Sequence, residues 1–290
     1  MPKRIRFTPS PEQIEVAEET LWGLGAQSVT LLDAGDQPLL EPGPGDTPLW
    51  PESTVEALLP DDLPDQEALL ALSAAQVISS PAEVDFDHLT DRDWVRAWMD
   101  RFQPMRFGES IWICPSHIEP KTEWGVVVRL DPGLAFGTGT HPTTALCLEW
   151  MDAVEFDGRT VTDYGCGSGV LAVAAALKGA ATVFAIDHDP QALTATHDNA
   201  LRNGVAERIE TALPENLNDA RADVVLANIL AGPLIELAER IAGLVRPGGA
   251  LVLSGILDEQ ADDVEKAYKP LIGKARWASR EGWIRLEFRR

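Results

Sequence analysis

Cysteine is scarce in this 290-residue chain, and the three present, Cys114, Cys147 and Cys166, show neither metal-ligand spacing nor an even number for disulfides. That usage points to a reducing compartment. The five histidines, His88, His117, His141, His188 and His197, lack zinc-site spacing as well, so no metal is expected. No apolar run approaches the ~18 residues of a membrane span, and Met1-Pro-Lys-Arg-Ile-Arg6 is no signal peptide. A soluble, cytoplasmic protein without membrane contact is the expectation. Basic residues are also few: 24 Lys and Arg stand against 46 Asp and Glu, for a net charge of -22. The deficit concentrates in residues 1–100, where five basic residues face 20 acidic ones. Direct binding to nucleic-acid phosphates depends on Lys and Arg and is not expected. A surface of this kind attracts a basic partner, although solubility alone accounts for it equally well.

Glycine is present where it matters. Val161-Thr-Asp-Tyr-Gly-Cys-Gly-Ser-Gly-Val170 runs from an apolar strand through Asp163 into Gly165, Gly167 and Gly169, and then into an alanine-rich helix. This suits a nucleotide-like cofactor lying across the carboxyl end of a parallel sheet. The next strand, Thr182-Val-Phe-Ala-Ile-Asp187, ends in a carboxylate suited to two ribose hydroxyls. A dinucleotide fingerprint places its third glycine one residue later and receives a pyrophosphate, which Asp163 would repel. The same carboxylate favours an ammonium group, directly or through water. S-adenosylmethionine carries an ammonium and no phosphate, and is the expected cofactor. Cys166 reads as small filler. The alternative for the loop is a tight strand-to-helix turn with no ligand.

From Asp157 onward strands centred on Val161, Phe184, Ile209, Val225 and Leu251 alternate with helices over Leu171–Lys178, Pro190–Asn203, Pro233–Leu244 and Glu259–Tyr268. Such alternation predicts an α/β domain with a parallel sheet covered on both faces. Strand-like segments at Arg276–Ala278 and Trp283–Phe288 match the hairpin that ends the seven-stranded, Rossmann-like sheet of methyltransferases. Ahead of this, a β-α-β-β-α-β order predicts a smaller ferredoxin-like α+β domain. Its strands are Ile5–Thr8, Ser28–Leu32, Val55–Leu59 and Gln76–Ser79. Its helices open at Pro11, ending at Gly25, and cover Glu67–Leu72. Gly35–Pro51 reads as a loop. Asp91–Phe102 reads as an amphipathic linker helix with Trp94, Trp98 and Phe102 on one face, and Arg106–Cys114 as an extended segment. The expected boundaries are 1–88, 89–104 and 105–290.

Two more segments bear on a site. Asp131-Pro-Gly-Leu-Ala-Phe-Gly-Thr-Gly-Thr-His-Pro-Thr-Thr144 lacks Gly-Lys-Ser/Thr and is no Walker A loop. Pro142 starts a helix there, with Thr140 or His141 as cap and Thr143 and Thr144 in the first turn. Free hydroxyls and N–H groups at such an end would seat the carboxylate of methionine; a plain capped helix is the alternative. In Asp223-Val-Val-Leu-Ala-Asn-Ile-Leu-Ala231 an apolar strand delivers Asn228 to the sheet edge beside the crevice. Its carboxamide oxygen is placed to accept a hydrogen bond from a substrate amine and aim the nitrogen lone pair, unless Asn228 merely caps the helix that follows.

On Asp131–Thr144, Asp163-Tyr-Gly-Cys-Gly-Ser-Gly169, Ile186-Asp-His-Asp-Pro190 and Asn228-Ile-Leu-Ala-Gly-Pro233, the chain resembles the bacterial methyltransferases of large-subunit ribosomal protein eleven. The glycine loop is common to many methyltransferases, while the first and last stretches are more specific. The resemblance is clear from about residue 105 onward. It implies methyl transfer from S-adenosylmethionine to lysine side chains and the α-amino group of that basic ribosomal protein, by a cytoplasmic monomer whose leading domain recognises the substrate. It also implies that Thr144, Gly165, Asp187 and Asn228 touch the cofactor, with Gly167 between them in the loop. The rival reading is a methyltransferase of the same fold acting on another amine or amide of a translation component, though its usual Asn-Pro-Pro-Tyr is replaced here by Asn228-Ile-Leu-Ala231.

Overall fold

The computed structural model describes residues 3–35, 52–88, 103–131, 141–216 and 220–290. The loop expected beyond Gly35, the Asp91–Phe102 helix and residues 132–140 lie outside the described residues. The chain divides into two compact units, Met1–Asp100 and Arg101–Arg290.

In the first unit, β1 (Lys3–Phe7), α1 (Ile14–Gly23), β2 (Ser28–Asp33), β3 (Ser53–Leu59), α2 (Asp65–Ala74) and β4 (Asp85–His88) follow one another. The strands lie in the order β2-β3-β1-β4, antiparallel throughout, which is the ferredoxin-like arrangement. Strand alternation builds it. Ile5, Phe7, Val55, Ala57 and Leu59 share a core with Ala17, Leu21, Ala68 and Leu72 of the helices. On the other face Arg6 pairs with Glu56 and Arg4 with Asp87.

One expected strand is corrected. Gln76–Ser79 is not extended; Gln76 takes a φ of 57° and ends α2, with Val77 N–H donating to Leu72 O at 3.0 Å and Gln76 N–H to Ser73 O at 3.0 Å. The paired bonds are a helix-ending motif that turns Val77 and Ile78 into the core, so their apolar character reflects burial rather than strand pairing. The fourth strand is β4, paired with β1.

The second unit opens with a sheet of three strands, β5 (Met105–Phe107), β6 (Ile111–Cys114) and β7 (Val126–Arg129). Arg106–Cys114 is thus a hairpin rather than one extended segment. Its turn is held by Asp152, whose carboxylate accepts from Glu109 N–H at 2.6 Å, Ser110 N–H at 3.0 Å and Ser110 Oγ at 2.5 Å. Burial opposes ionisation there, yet these bonds outweigh it and hold Asp152 below the usual carboxylate range.

Asp152 ends α3 (Pro142–Asp152), which leads into β8 (Thr160–Tyr164), α4 (Val170–Leu177), β9 (Thr182–Ile186), α5 (Pro190–Arg202) and β10 (Ile209–Ala212). Then come β11 (Ala222–Asn228), the short α6 (Ala231–Glu236) and α7 (Ala238–Gly243), β12 (Val245–Leu257), α8 (Ala261–Ile272), β13 (Arg276–Arg280) and β14 (Trp283–Arg289). The seven strands order as β10-β9-β8-β11-β12-β14-β13. The first five run parallel and β14 is antiparallel to both neighbours. Val224, Val225, Leu226 and Ala227 are all fully buried, because helices cover both faces. From β8 the chain winds to β9 and β10 on one side, and later from β11 to β12 on the other. The carboxyl ends of β8 and β11 therefore flank the crevice where such sheets bind ligands.

Candidate active site

The glycine loop leaves β8 and enters α4 with φ of 79° at Gly165 and 76° at Gly169, left-handed values that favour glycine. Space demands glycine there too. A Cβ at Gly169 would lie 2.7 Å from Thr196, and one at Gly165 would collide with Ile229 Cγ2. These two glycines are required by packing whether or not a ligand is bound. The loop is held from outside by α5: Thr196 Oγ1 donates to Gly167 O at 3.1 Å, and Asn199 Nδ2 to Ser168 O at 2.8 Å. Both residues are buried, and sequence reasoning missed them. Their signal was two polar residues, three apart, on the inward face of an amphipathic helix. Cys166 is buried and its thiol is pushed up by that burial, which fits a filler rather than a nucleophile.

Asp187 follows β9 and is 8% exposed. Its Oδ2 accepts from Gly167 N–H at 2.9 Å and its Oδ1 from Asp189 N–H at 3.0 Å. A carboxylate offers about four acceptor positions, so capacity for two hydroxyls is left. The carboxylate thereby couples the glycine loop to the end of β9. Asp163 differs. At 1% exposure it is buried beneath the loop, and its Oδ2 accepts from Ala172 N–H of α4 at 3.0 Å. Burial, with a smaller contribution from the charge of Asp187, pushes its carboxyl up to about 7. This value exceeds that of an unfolded aspartate, ~3.9, so between those pH values the native state holds the extra proton and Asp163 makes the fold less stable as pH rises.

His141 caps α3: its Nδ1 accepts from Thr143 N–H at 3.4 Å and meets Thr143 Oγ1 at 2.8 Å. Burial lowers the imidazole below its usual value, against the opposing charge of Glu281, and the neutral ring is the form with a free acceptor nitrogen. The ring stands edge-on to Trp283, centroids 4.7 Å apart. The expected free hydroxyls of the first turn are not free. Thr143 and Thr144 are buried, and Thr144 Oγ1 accepts from Asn228 Nδ2 at 3.3 Å. Side chains of a helix this deep in the core turn to internal partners.

That bond unites two of the sequence-predicted residues. Asn228 ends β11, one strand from β8 and opposite Ser254 of β12, whose Oγ donates to Thr143 O at 3.2 Å. With its NH2 directed to Thr144, the carboxamide oxygen has no hydrogen-bond partner among the described residues. The structure thus joins Thr144, in the first turn of α3, to Asn228 at the end of β11, and Gly167 of the loop to Asp187 after β9.

A further constraint on Asn228 escaped the sequence. Gly255 interrupts β12 at a φ of 84°, and a Cβ there would collide with Ile229 O and lie 2.8 Å from Ile229 C. Gly248 has a similar φ of 81° but open space around it. Gly248→Ala is therefore expected to cost only the strain of a left-handed residue, about 1–2 kcal/mol. Gly255→Ala should cost clearly more in urea unfolding and also reduce activity by displacing the residue after Asn228. Equal costs would show that the approach to Ile229 is easily relieved.

Comparisons with known proteins bear on the chain as a whole. Residues 2–290 match the family described as Ribosomal protein L11 methyltransferase (PrmA). The chain is 53% identical over 289 residues to the ribosomal protein L11 methyltransferase of Pseudomonas aeruginosa (strain LESB58), covering 99% of this chain and 98% of that one. It is 51% identical over 285 residues to the protein of that name from Azotobacter vinelandii, covering 98% and 97%. Among solved structures, the ribosomal protein L11 methylase from Lactobacillus delbrueckii subsp. bulgaricus superposes with a TM-score of 0.59 at 30% identity, over 64% of this chain and 98% of that one.

Proposed function

The chain belongs to the ribosomal protein L11 methyltransferase family, and from that premise we propose that it transfers methyl groups from S-adenosylmethionine to amines of ribosomal protein L11, lysine side chains and the α-amino group included. The observation that carries the reading is the Asn228 carboxamide at the switch point of the sheet, its NH2 held by Thr144 and its oxygen without a hydrogen-bond partner among the described residues. The site suits the cofactor. Asp187 keeps acceptor capacity for two ribose hydroxyls, and the carboxyl of Asp163, when ionised, opposes a phosphate.

Bound there, the cofactor would supply an electrophilic methyl on a sulfonium. The chain's own part is orientation. Asn228 Oδ1 accepts an N–H of the neutral amine and turns its lone pair towards the methyl, a task of alignment rather than of strong base catalysis. The lysine proton must leave first: with a solution pKa near ~10.4, a neutral amine at pH 7 costs roughly 4–5 kcal/mol. The leading ferredoxin-like unit would recognise the basic substrate, its acid excess speeding encounter at low salt. The expected setting is the cytoplasm; no described helix is long and apolar enough to cross a membrane.

Titration calorimetry tests the cofactor assignment. S-adenosylmethionine should bind and NAD should not; the reverse would sink the reading. The same experiment reads Asp163. An ammonium seated by the loop favours the charged carboxylate, so binding near neutral pH should release protons from Asp163 into buffer. Release should vanish in Asp163→Asn. Heats that do not depend on the ionisation enthalpy of the buffer would contradict a partly protonated Asp163 in the free protein.

A further inference from the structure

Leu230 lies two residues past Asn228 and is 54% exposed, while Ile229 between them lies close against Gly255 and Gly165. An apolar side chain is thus exposed to water two residues beyond the carboxamide. Its φ of -60° and ψ of 152° continue the extended course of β11 to the first turn of α6. The sequence marks the spot as well, since Ile229 and Leu230 are aliphatic residues following Asn228 directly. From these placements we infer that Leu230 is a specificity-determining residue for the acceptor, forming an apolar rest for the aliphatic stem of the lysine whose nitrogen Asn228 holds.

The chemistry of the acceptor explains why such a rest is needed. A lysine nitrogen at Asn228 stands at the end of four methylenes, and that stem must run from the sheet edge out to the surface of the substrate. Contact with Leu230 removes part of the stem from water and limits the directions from which the nitrogen arrives. A rigid or planar acceptor would gain little from it. The inference rests on the acceptor role of Asn228, and the two fail separately.

The experiment compares Leu230→Met, Leu230→Ala and Leu230→Ser in the full-length protein with intact ribosomal protein L11 below saturation and cofactor in excess. Partial loss of contact with one or two methylenes should lower kcat/KM roughly five- to tenfold in the serine variant, with alanine between and methionine within about twofold of wild type. Cofactor affinity and thermal midpoint should not move, which a merely structural role would not predict. The inference is overturned if the serine variant keeps its rate within twofold, or if any loss tracks weakened cofactor binding. Failure of the Asn228 reading shows independently, as an Asn228→Ala enzyme with full turnover.

Discussion

Asn228→Ala is expected to lower the single-turnover rate of methyl transfer by roughly a hundredfold while changing cofactor affinity by less than about threefold. The asymmetry follows from geometry. Asn228 Nδ2 is bonded to Thr144 Oγ1, which leaves Oδ1 for the incoming amine and fixes where that oxygen points. Alanine removes the acceptor and the alignment together, and a nucleophile displaced by about 1 Å loses on the order of 10² in rate. Thr144 would lose its partner from Asn228, so Thr144→Val is a useful companion that leaves the carboxamide present but unanchored, with a smaller expected loss. Stopped reactions with enzyme in excess measure the chemical step. In wild type this step should also accelerate with pH up to about the lysine pKa, near ~10.4, because only the neutral amine reacts. A variant with wild-type chemistry but weakened cofactor binding would move Asn228 from the acceptor to the cofactor side of the site.

Asp187→Ala is expected to weaken S-adenosylmethionine binding ten- to a hundredfold, from the loss of charge-assisted hydrogen bonds worth about 1.5–3 kcal/mol. The carboxylate also secures Gly167 N–H and Asp189 N–H, so part of that loss would come from a loosened glycine loop rather than from the ribose. Asp187→Asn separates the two. Its single amide oxygen can still accept from one backbone N–H, while its NH2 faces the other donor and removes an acceptor from the ribose. Affinity should fall between wild type and alanine, with a melting temperature nearer wild type. Calorimetric affinities unchanged in both variants would remove Asp187 from the cofactor site.

The parts of this molecule written plainly in its sequence are those set by local rules. Alternating apolar strands and helices after Asp157 specified the parallel sheet, because buried strands such as Val224–Ala227 leave a continuous apolar run. The glycines at 165 and 169, the carboxylate at 187 and the carboxamide at 228 announced strand ends, and the fold places all of them at one sheet edge. What escaped depends on partners far along the chain. Val77 and Ile78 looked like strand residues because burial and pairing select the same side chains, and only the left-handed Gln76 separates the cases. The hairpin before α3 turns on Asp152, over forty residues away. Thr196 and Asn199 serve a loop some thirty residues earlier, and Gly255 is defined by Ile229, just past the end of the neighbouring strand. Apart from the helical spacing of Thr196 and Asn199, none of these contacts leaves a periodic trace.

Methyl transfer to ribosomal protein L11 is tested most directly by mass spectrometry of that protein after incubation with the full-length enzyme and S-adenosylmethionine. The account predicts whole-methyl mass increments that map to lysine side chains or the α-amino group, absent without cofactor and strongly reduced with Asn228→Ala. An L11 of unchanged mass, alongside methyl groups on another component of the same ribosomal protein mixture, would contradict it.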